Sequence, residues 1–131
     1  MFNPKSAFSG FSVDDIAKAK AFYSQTLGLQ VNEEAPGLRL QLPGGGAVFI
    51  YSKPDHQAAT FTILNFQVAS IDEAVDELTR RGVRFEQYHS DQGPQTDAKG
   101  IARGGAGGPN SAIAWFKDPA GNFLSVINNA G

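Results

Sequence analysis

Shifted by 55 residues, the sequence falls on itself: Phe11-Ser12-Val13 lands on Phe66-Gln67-Val68, Ile16 on Ile71 and Ala19 on Ala74. A chain that repeats its own apolar spacing is built from two copies of one supersecondary unit. In the first copy, Ala7 to Val13 reads as a strand, and Asp14 can cap a helix whose apolar residues Ile16, Ala19, Phe22, Tyr23 and Leu27 recur at helical spacing up to Gly28. Three strands follow, about 29–34, 38–42 and 47–52, punctuated by Pro36-Gly37 and by Pro43-Gly44-Gly45-Gly46. In the second copy a strand over 61–68 precedes a capping box, Ser70-Ile71-Asp72-Glu73, and a helix to Gly82. Strands over 83–88, 111–117 and 123–127 complete it, the last two joined by a turn at Asp118-Pro119-Ala120-Gly121-Asn122. The order strand, helix, three strands occurs twice, an α+β pattern.

The copies differ at His89–Asn110, a glycine-rich loop of about twenty residues. A loop of that length in a compact domain is either functional, as a lid or pocket wall, or a flexible excursion. Its Gly104-Gly105-Ala106-Gly107-Gly108 run neither follows a strand nor opens a helix, so it lacks the context of a phosphate cradle.

The 131 residues suit a single domain over 1–131, with a first module at about 5–54 and a second at about 60–128. A net charge of −2 with scattered Lys and Arg argues against nucleic acid as a partner. Without cysteine there are no disulfides, thiolate nucleophiles or cysteine-bound zinc. No signal peptide is read at Met1-Phe2-Asn3-Pro4-Lys5, and no apolar run of about 18 residues suggests a membrane, so the expected location is cytoplasmic.

Three motifs carry a family resemblance: Phe11-x-Val13-x-Asp15-Ile16; Ala21-Phe22-Tyr23 with Leu27-Gly28-Leu29; and Trp115-Phe116-Lys117-Asp118-Pro119-Ala120-Gly121-Asn122. Together the sequence resembles the vicinal oxygen chelate superfamily, which includes glyoxalase I, extradiol dioxygenases, a fosfomycin-inactivating transferase and bleomycin-binding proteins. The resemblance implies two βαβββ modules forming a curled mixed sheet around a cleft, usually completed in a homodimer. It implies where a ligand goes, not what happens to it.

Enzymes of that superfamily hold a divalent cation with His, Gln or Glu from four strands. Matched to their motifs, the four places fall here on Phe8, Ile63, Ser125 and Ile50, with Tyr51 in place of Ile50 if the match shifts by one residue. None supplies the imidazole or carboxylate that zinc, nickel, iron or manganese wants. No metal and no cofactor is therefore expected. Of the two histidines, His56 lies in a polar turn beside Asp55 and His89 at the loop entrance with Glu86 and Asp91 nearby; both read as solvated surface residues.

Strand alternation then assigns a ligand-binding cleft to Phe8, Gly10 and Ser12, to Val48, Ile50 and Ser52, to Ile63, Asn65 and Gln67, and to Phe123, Ser125 and Ile127. Phe11, Val13, Leu64, Phe66 and Val68 should pack beneath the helices. Lys99 and Arg103 are candidates for a lid over an anionic group, and exposed loop cations are otherwise simply solvated. Trp115 reads as core or dimer interface before a stacking platform, and Tyr23 as core. Catalytic residues are not assignable. The expected function is metal-independent binding of a small amphipathic or aromatic molecule by a homodimer. The alternatives are a metal-dependent lyase or dioxygenase whose ligands are displaced in the match, and an accessory module acting through its dimer surface.

Overall fold

A computed structural model describes residues 1–89, 93, 95–105 and 108–128. The chain divides into two units, Met1–Ala58 and Ala59–Gly131, each with its own four-stranded mixed sheet.

In the first unit β1 (Ser9–Val13) leads into α1 (Ile16–Ala21), which continues as a π-helical turn over Phe22–Thr26. The N-cap is Asp15 rather than the expected Asp14: its side chain accepts from the Lys18 amide at 3.1 Å, satisfying a donor the first helical turn leaves open. Further along, the Ser24 hydroxyl donates to the Lys20 carbonyl at 2.5 Å, a bond that competes with the backbone ladder where the helix widens. Strands β2 (Val31–Glu34), β3 (Gly37–Gln41) and β4 (Ala47–Ser52) give the order β1-β4-β3-β2, with β1 and β4 parallel.

The core of this unit lies under the helix. Val13, Ala19, Tyr23, Leu38, Leu40, Val48 and Ile50 are buried, and Phe11 meets the Tyr23 ring at 5.9 Å. Tyr23 is core, as its place among the helix's apolar residues predicts.

In the second unit β5 (Thr62–Gln67) precedes α2 (Ile71–Arg80), capped by Ser70, whose hydroxyl accepts from the Glu73 amide at 3.3 Å. The sheet order is β5-β8-β7-β6, from β6 (Ile101–Arg103), β7 (Ala112–Lys117) and β8 (Phe123–Asn128). Leu124, Val126, Ala114 and Phe116 form its core with Ile71, Val75 and Phe85. The β7–β8 turn is locked by side chains: Asp118 Oδ1 accepts from the amides of Ala120 and Asn122, while Asn122 Nδ2 donates to Asp118 Oδ2. Both are buried, and Asn122 Oδ1 also accepts from the Ala59 amide at 3.1 Å. Gly121 supplies the turn's positive φ of 87°.

Two expectations fail here. Residues 83–88 do not form a strand; their backbone meets β7 at a bridge from Phe85 to Phe116 and at the Glu86 amide bonded to the Trp115 carbonyl. The third strand is β6, inside the stretch expected to be loop. The chain turns back at Asp97, whose Oδ1 accepts from the amides of Lys99 and Ile101, with Gly100 at φ 89° where any Cβ would lie 2.8 Å from that of Phe85. The edge of β7 is thus shared by two segments, Phe85 at one end and Ile101–Arg103 at the other.

Candidate functional site

Each sheet has a helix-covered face and a helix-free face, and register decides which residues occupy each. Paired residues in neighbouring strands point the same way. In the first unit Ser12 pairs with Tyr51 and Gly10 with Phe49, while Phe11 pairs with Ile50. Since Phe11 carries the helix, Ile50 belongs with it: the side chain is 0% exposed and Val48 2%. The assignment of Ile50 and Val48 to the ligand-facing side is therefore corrected to Phe49 and Tyr51. Ser52 likewise pairs with Val13, on the helix side.

The helix-free face of the first unit carries Gly10 and Ser12 from β1, Phe49 and Tyr51 from β4, and Arg39 and Gln41 from β3. The Phe49 and Tyr51 rings are near-parallel, 18° apart in plane with centroids at 6.2 Å. Gly10 leaves space beside them, since a Cβ there would lie 3.3 Å from the Phe49 carbonyl and 3.8 Å from the Tyr51 ring. Phe8, before the strand, is 66% exposed. His56 is not simply solvated: it is half-buried, its Nδ1 hydrogen-bonded to Ser12 Oγ at 2.7 Å. That contact spans 44 residues of chain and could not be read from spacing.

In the second unit Asn65 pairs with Ser125 and Gln67 with Ile127, and Trp115 pairs with Ser125 from the other side. These share the helix-free face with Phe123 and Ile113. Ser125 is fully buried and its hydroxyl donates to Asn65 Oδ1 at 2.5 Å, so both groups find a neutral partner. At the start of β5 the pairing slips between Thr62 and Leu64. Thr62, not Ile63, then takes the paired place opposite Phe123, and its Oγ1 accepts from Trp115 Nε1 at 3.2 Å. Ile63 is the extra residue of that irregularity, so simple alternation does not place it.

Trp115 is not core beneath α2. It lies half-buried on the helix-free face, with the Tyr88 ring edge-on at 5.7 Å. Burial, aided by the charge of Glu86, pushes the Tyr88 phenol above its ordinary pKa, so it stays protonated around neutrality and can donate. Lys117 Nζ lies 5.0 Å from the Phe123 ring centre and 3.7 Å from Glu86.

The lid expectation for Lys99 and Arg103 is also corrected. Lys99 Nζ is 3.2 Å from Asp72 and 2.9 Å from Asp76, and Arg103 pairs with both Asp72 oxygens. Both cations are held against the exposed side of α2, and their charge is met there. His89 is exposed; Asp91, its expected neighbour, falls outside the described residues.

Metal ligation can be tested on the donor set. The places that the sequence match gives to family ligands carry Phe8, Ile63, Ser125 and Ile50, or Tyr51 with a one-residue shift. Among the described residues no three His, Cys, Asp or Glu side chains come together. His56 offers one imidazole whose Nδ1 is already bonded to a hydroxyl. These donors do not fit a divalent-cation centre of the imidazole and carboxylate kind.

The sequence profile of the Glyoxalase/Bleomycin resistance protein/Dioxygenase superfamily matches residues 8–126. The chain belongs to this superfamily. It is 35% identical over 91 residues to YwkD of Bacillus subtilis strain 168, covering 59% of this chain and 71% of YwkD. Among solved structures it shares its fold with TnmS3, an antibiotic binding protein from Streptomyces sp. CB03234, at TM-score 0.62 and 21% identity over 97% of this chain and 98% of that one. It shares it also with lactoylglutathione lyase from Agrobacterium tumefaciens, at TM-score 0.60 and 21% identity over 95% of this chain and 94% of that one. At these identities the likeness concerns fold alone.

Proposed function

We propose that this superfamily member binds a small amphipathic or aromatic molecule on the helix-free faces of its sheets, without a metal ion, as a cytoplasmic homodimer. The observation that carries the reading is what those faces hold. Each sets aromatic rings beside neutral hydrogen-bonding groups: Phe49 and Tyr51 beside Ser12 and His56 in one unit, Trp115 and Tyr88 beside Asn65 and Ser125 in the other.

Such a surface recognises a flat molecule by apolar burial and ring contact, about 0.5–1.5 kcal/mol for each well-placed aromatic pair beyond the area term, while polar groups fix orientation. Phe8, Gly10 and Ser12 remain among the proposed binding residues of the first unit, where Tyr51 replaces Ile50, and Asn65, Gln67 and Ser125 among those of the second, where Thr62 joins Ile63. The antibiotic binding described for TnmS3 agrees with this reading. The second reading, a metal-dependent lyase or dioxygenase, is favoured by the fold shared with lactoylglutathione lyase and opposed by the donor set.

The deciding test is elemental mass spectrometry on untagged protein exposed to zinc, nickel, iron and manganese and then desalted. The expected result is metal far below one equivalent, together with ligands found in a screen of small aromatics by quenching of Trp115. Near-stoichiometric metal would overturn the metal-free reading and bring the lyase or dioxygenase forward.

A further inference from the structure

On the helix-free face of the first unit, Arg39 stands beside Phe49, its partner across the β3–β4 ladder. Most other basic side chains have a carboxylate: Lys20 pairs with Glu33, Lys53 with Asp55, Arg80 and Arg81 with Glu77, Lys99 and Arg103 with Asp72, Lys117 with Glu86. Arg39 does not. It is half-buried and, among the described residues, has no carboxylate within ion-pair distance. Glu34, the acid assigned to that face on β2, is exposed and paired in register with Gly37 rather than Arg39.

A guanidinium stays charged at any physiological pH, and partial burial raises the value of a planar anion that can take two of its N–H groups at once. The neighbours of Arg39 say what else that anion carries. Phe49 and Tyr51 form the next column of the sheet, and the Ser12–His56 pair lies beyond them. From Arg39 to Ser12 the separation is two strand spacings across and two residues along, on the order of 12 Å between Cα atoms.

We infer that this face is a subsite for an aromatic anion: a fused or extended ring on Phe49 and Tyr51, an acid group on Arg39, and a hydrogen-bonding group at the far end on the Ser12–His56 pair. The inference rests on the binding role proposed above and names the charge class of its ligand. A cationic aromatic of the same size is disfavoured, because Arg39 beside Phe49 repels it.

The test is titration calorimetry of the full chain with 6-hydroxy-2-naphthoate and with its neutral counterpart, 6-hydroxy-2-naphthamide. Wild type should bind the acid at least tenfold more tightly, with the preference shrinking in high salt. Arg39→Gln should remove the preference while leaving amide affinity within about twofold, and Arg39→Lys should restore part of it. Phe49→Ala should weaken both ligands at least fivefold and keep their ratio. Thermal unfolding of each variant, expected to match wild type within a few degrees, separates lost contact from lost fold. Equal binding of acid and amide by wild type, or a preference that survives Arg39→Gln, overturns the charge assignment and leaves the broader binding role standing. Binding of neither to millimolar concentration overturns the subsite altogether, and the metal measurement and aromatic screen then decide the broader reading independently.

Discussion

The two units carry one plan by different means. The first closes its sheet with tight connections: β2 and β3 are joined at Ala35-Pro36 and β3 and β4 across Pro43 to Gly46, and the strand after the helix pairs at once. The second detours, leaving α2 through an extended segment that only grazes β7 at Phe85 before β6 returns to finish the sheet. The detour is tied down by charge, Lys99 and Arg103 gripping Asp72 and Asp76, whereas the first unit's connections are held by backbone geometry. Their helix-free faces diverge as well: one offers the Arg39 guanidinium beside two rings, the other a chain of neutral hydrogen bonds around Ser125 and Trp115. A shared topology therefore sets where side chains go and leaves their chemistry free to differ.

The sharpest way to break this comparison is to cut one core and ask whether the other notices. Phe116 is fully buried against Phe85, with ring centres at 5.4 Å, so Phe116→Ala should cost about 4 kcal/mol, read by chemical denaturation. Hydrogen exchange should show protection lost first in β7 and β8; equal loss in β3 and β4 would mean that the two cores are not separate units of stability. In the first unit, Gly37→Ala should cost about 3 kcal/mol, because the new Cβ would fall 2.1 Å from the Ile50 carbonyl oxygen, a backbone atom that cannot step aside. A Gly37→Ala melting curve superposable on wild type would show that the β3–β4 contact relaxes easily.

Smaller effects sharpen the contrast in connections. Asn122→Ala removes a buried donor from Asp118 and a buried acceptor from Ala59, and should cost about 2 kcal/mol in thermal unfolding; a cost near zero would mean that the backbone alone holds the turn. The smallest concerns Asp72, whose carboxyl is held below its ordinary value of 3.8 first by the hydrogen bond from Lys99, against the opposing effect of desolvation, and then by Arg103. A depressed carboxyl contributes stability above its unfolded pKa and loses it as pH falls through the folded one. Asp72→Asn should therefore leave melting at pH 7 in high salt almost unchanged and flatten the decline of stability below about pH 4. An unchanged acid decline in Asp72→Asn would show that the loop is held by other contacts.

Much of the fold was legible because its signals are local. Ser70 and Glu73 announce a helix start, Asp118 to Asn122 a turn, and the repeat of Phe11 and Val13 in Phe66 and Val68 a duplicated unit. Asp14 and Asp15 are chemically alike and adjacent, so the choice of cap fell to backbone conformation. Much of the site was not legible. Val48-Phe49-Ile50-Tyr51 is apolar or aromatic at every position, so alternation in hydrophobicity could not tell its two faces apart; an error of one residue exchanges them completely. Only pairing of Phe11 with Ile50 settled it. The slip at Thr62 and Leu64 defeats alternation for a different reason, since one extra residue breaks the period on which the reasoning depends. The loop cations looked free because their partners lie 27 and 31 residues away.

The sequence by itself determined the duplicated strand-helix-three-strand plan and most of its turns and caps, because each depends on residue identity or short-range spacing. Tertiary structure alone decided that Tyr51 rather than Ile50 meets the helix-free face, that His56 reaches Ser12, that Trp115 flanks Ser125 rather than the core, and that Arg39 has no carboxylate at ion-pair distance among the described residues while Lys99 and Arg103 have theirs. The physical reason is that such facts depend on strand register and on contacts across tens of residues, where a shift of one position changes the chemistry of a face without changing the pattern that builds it.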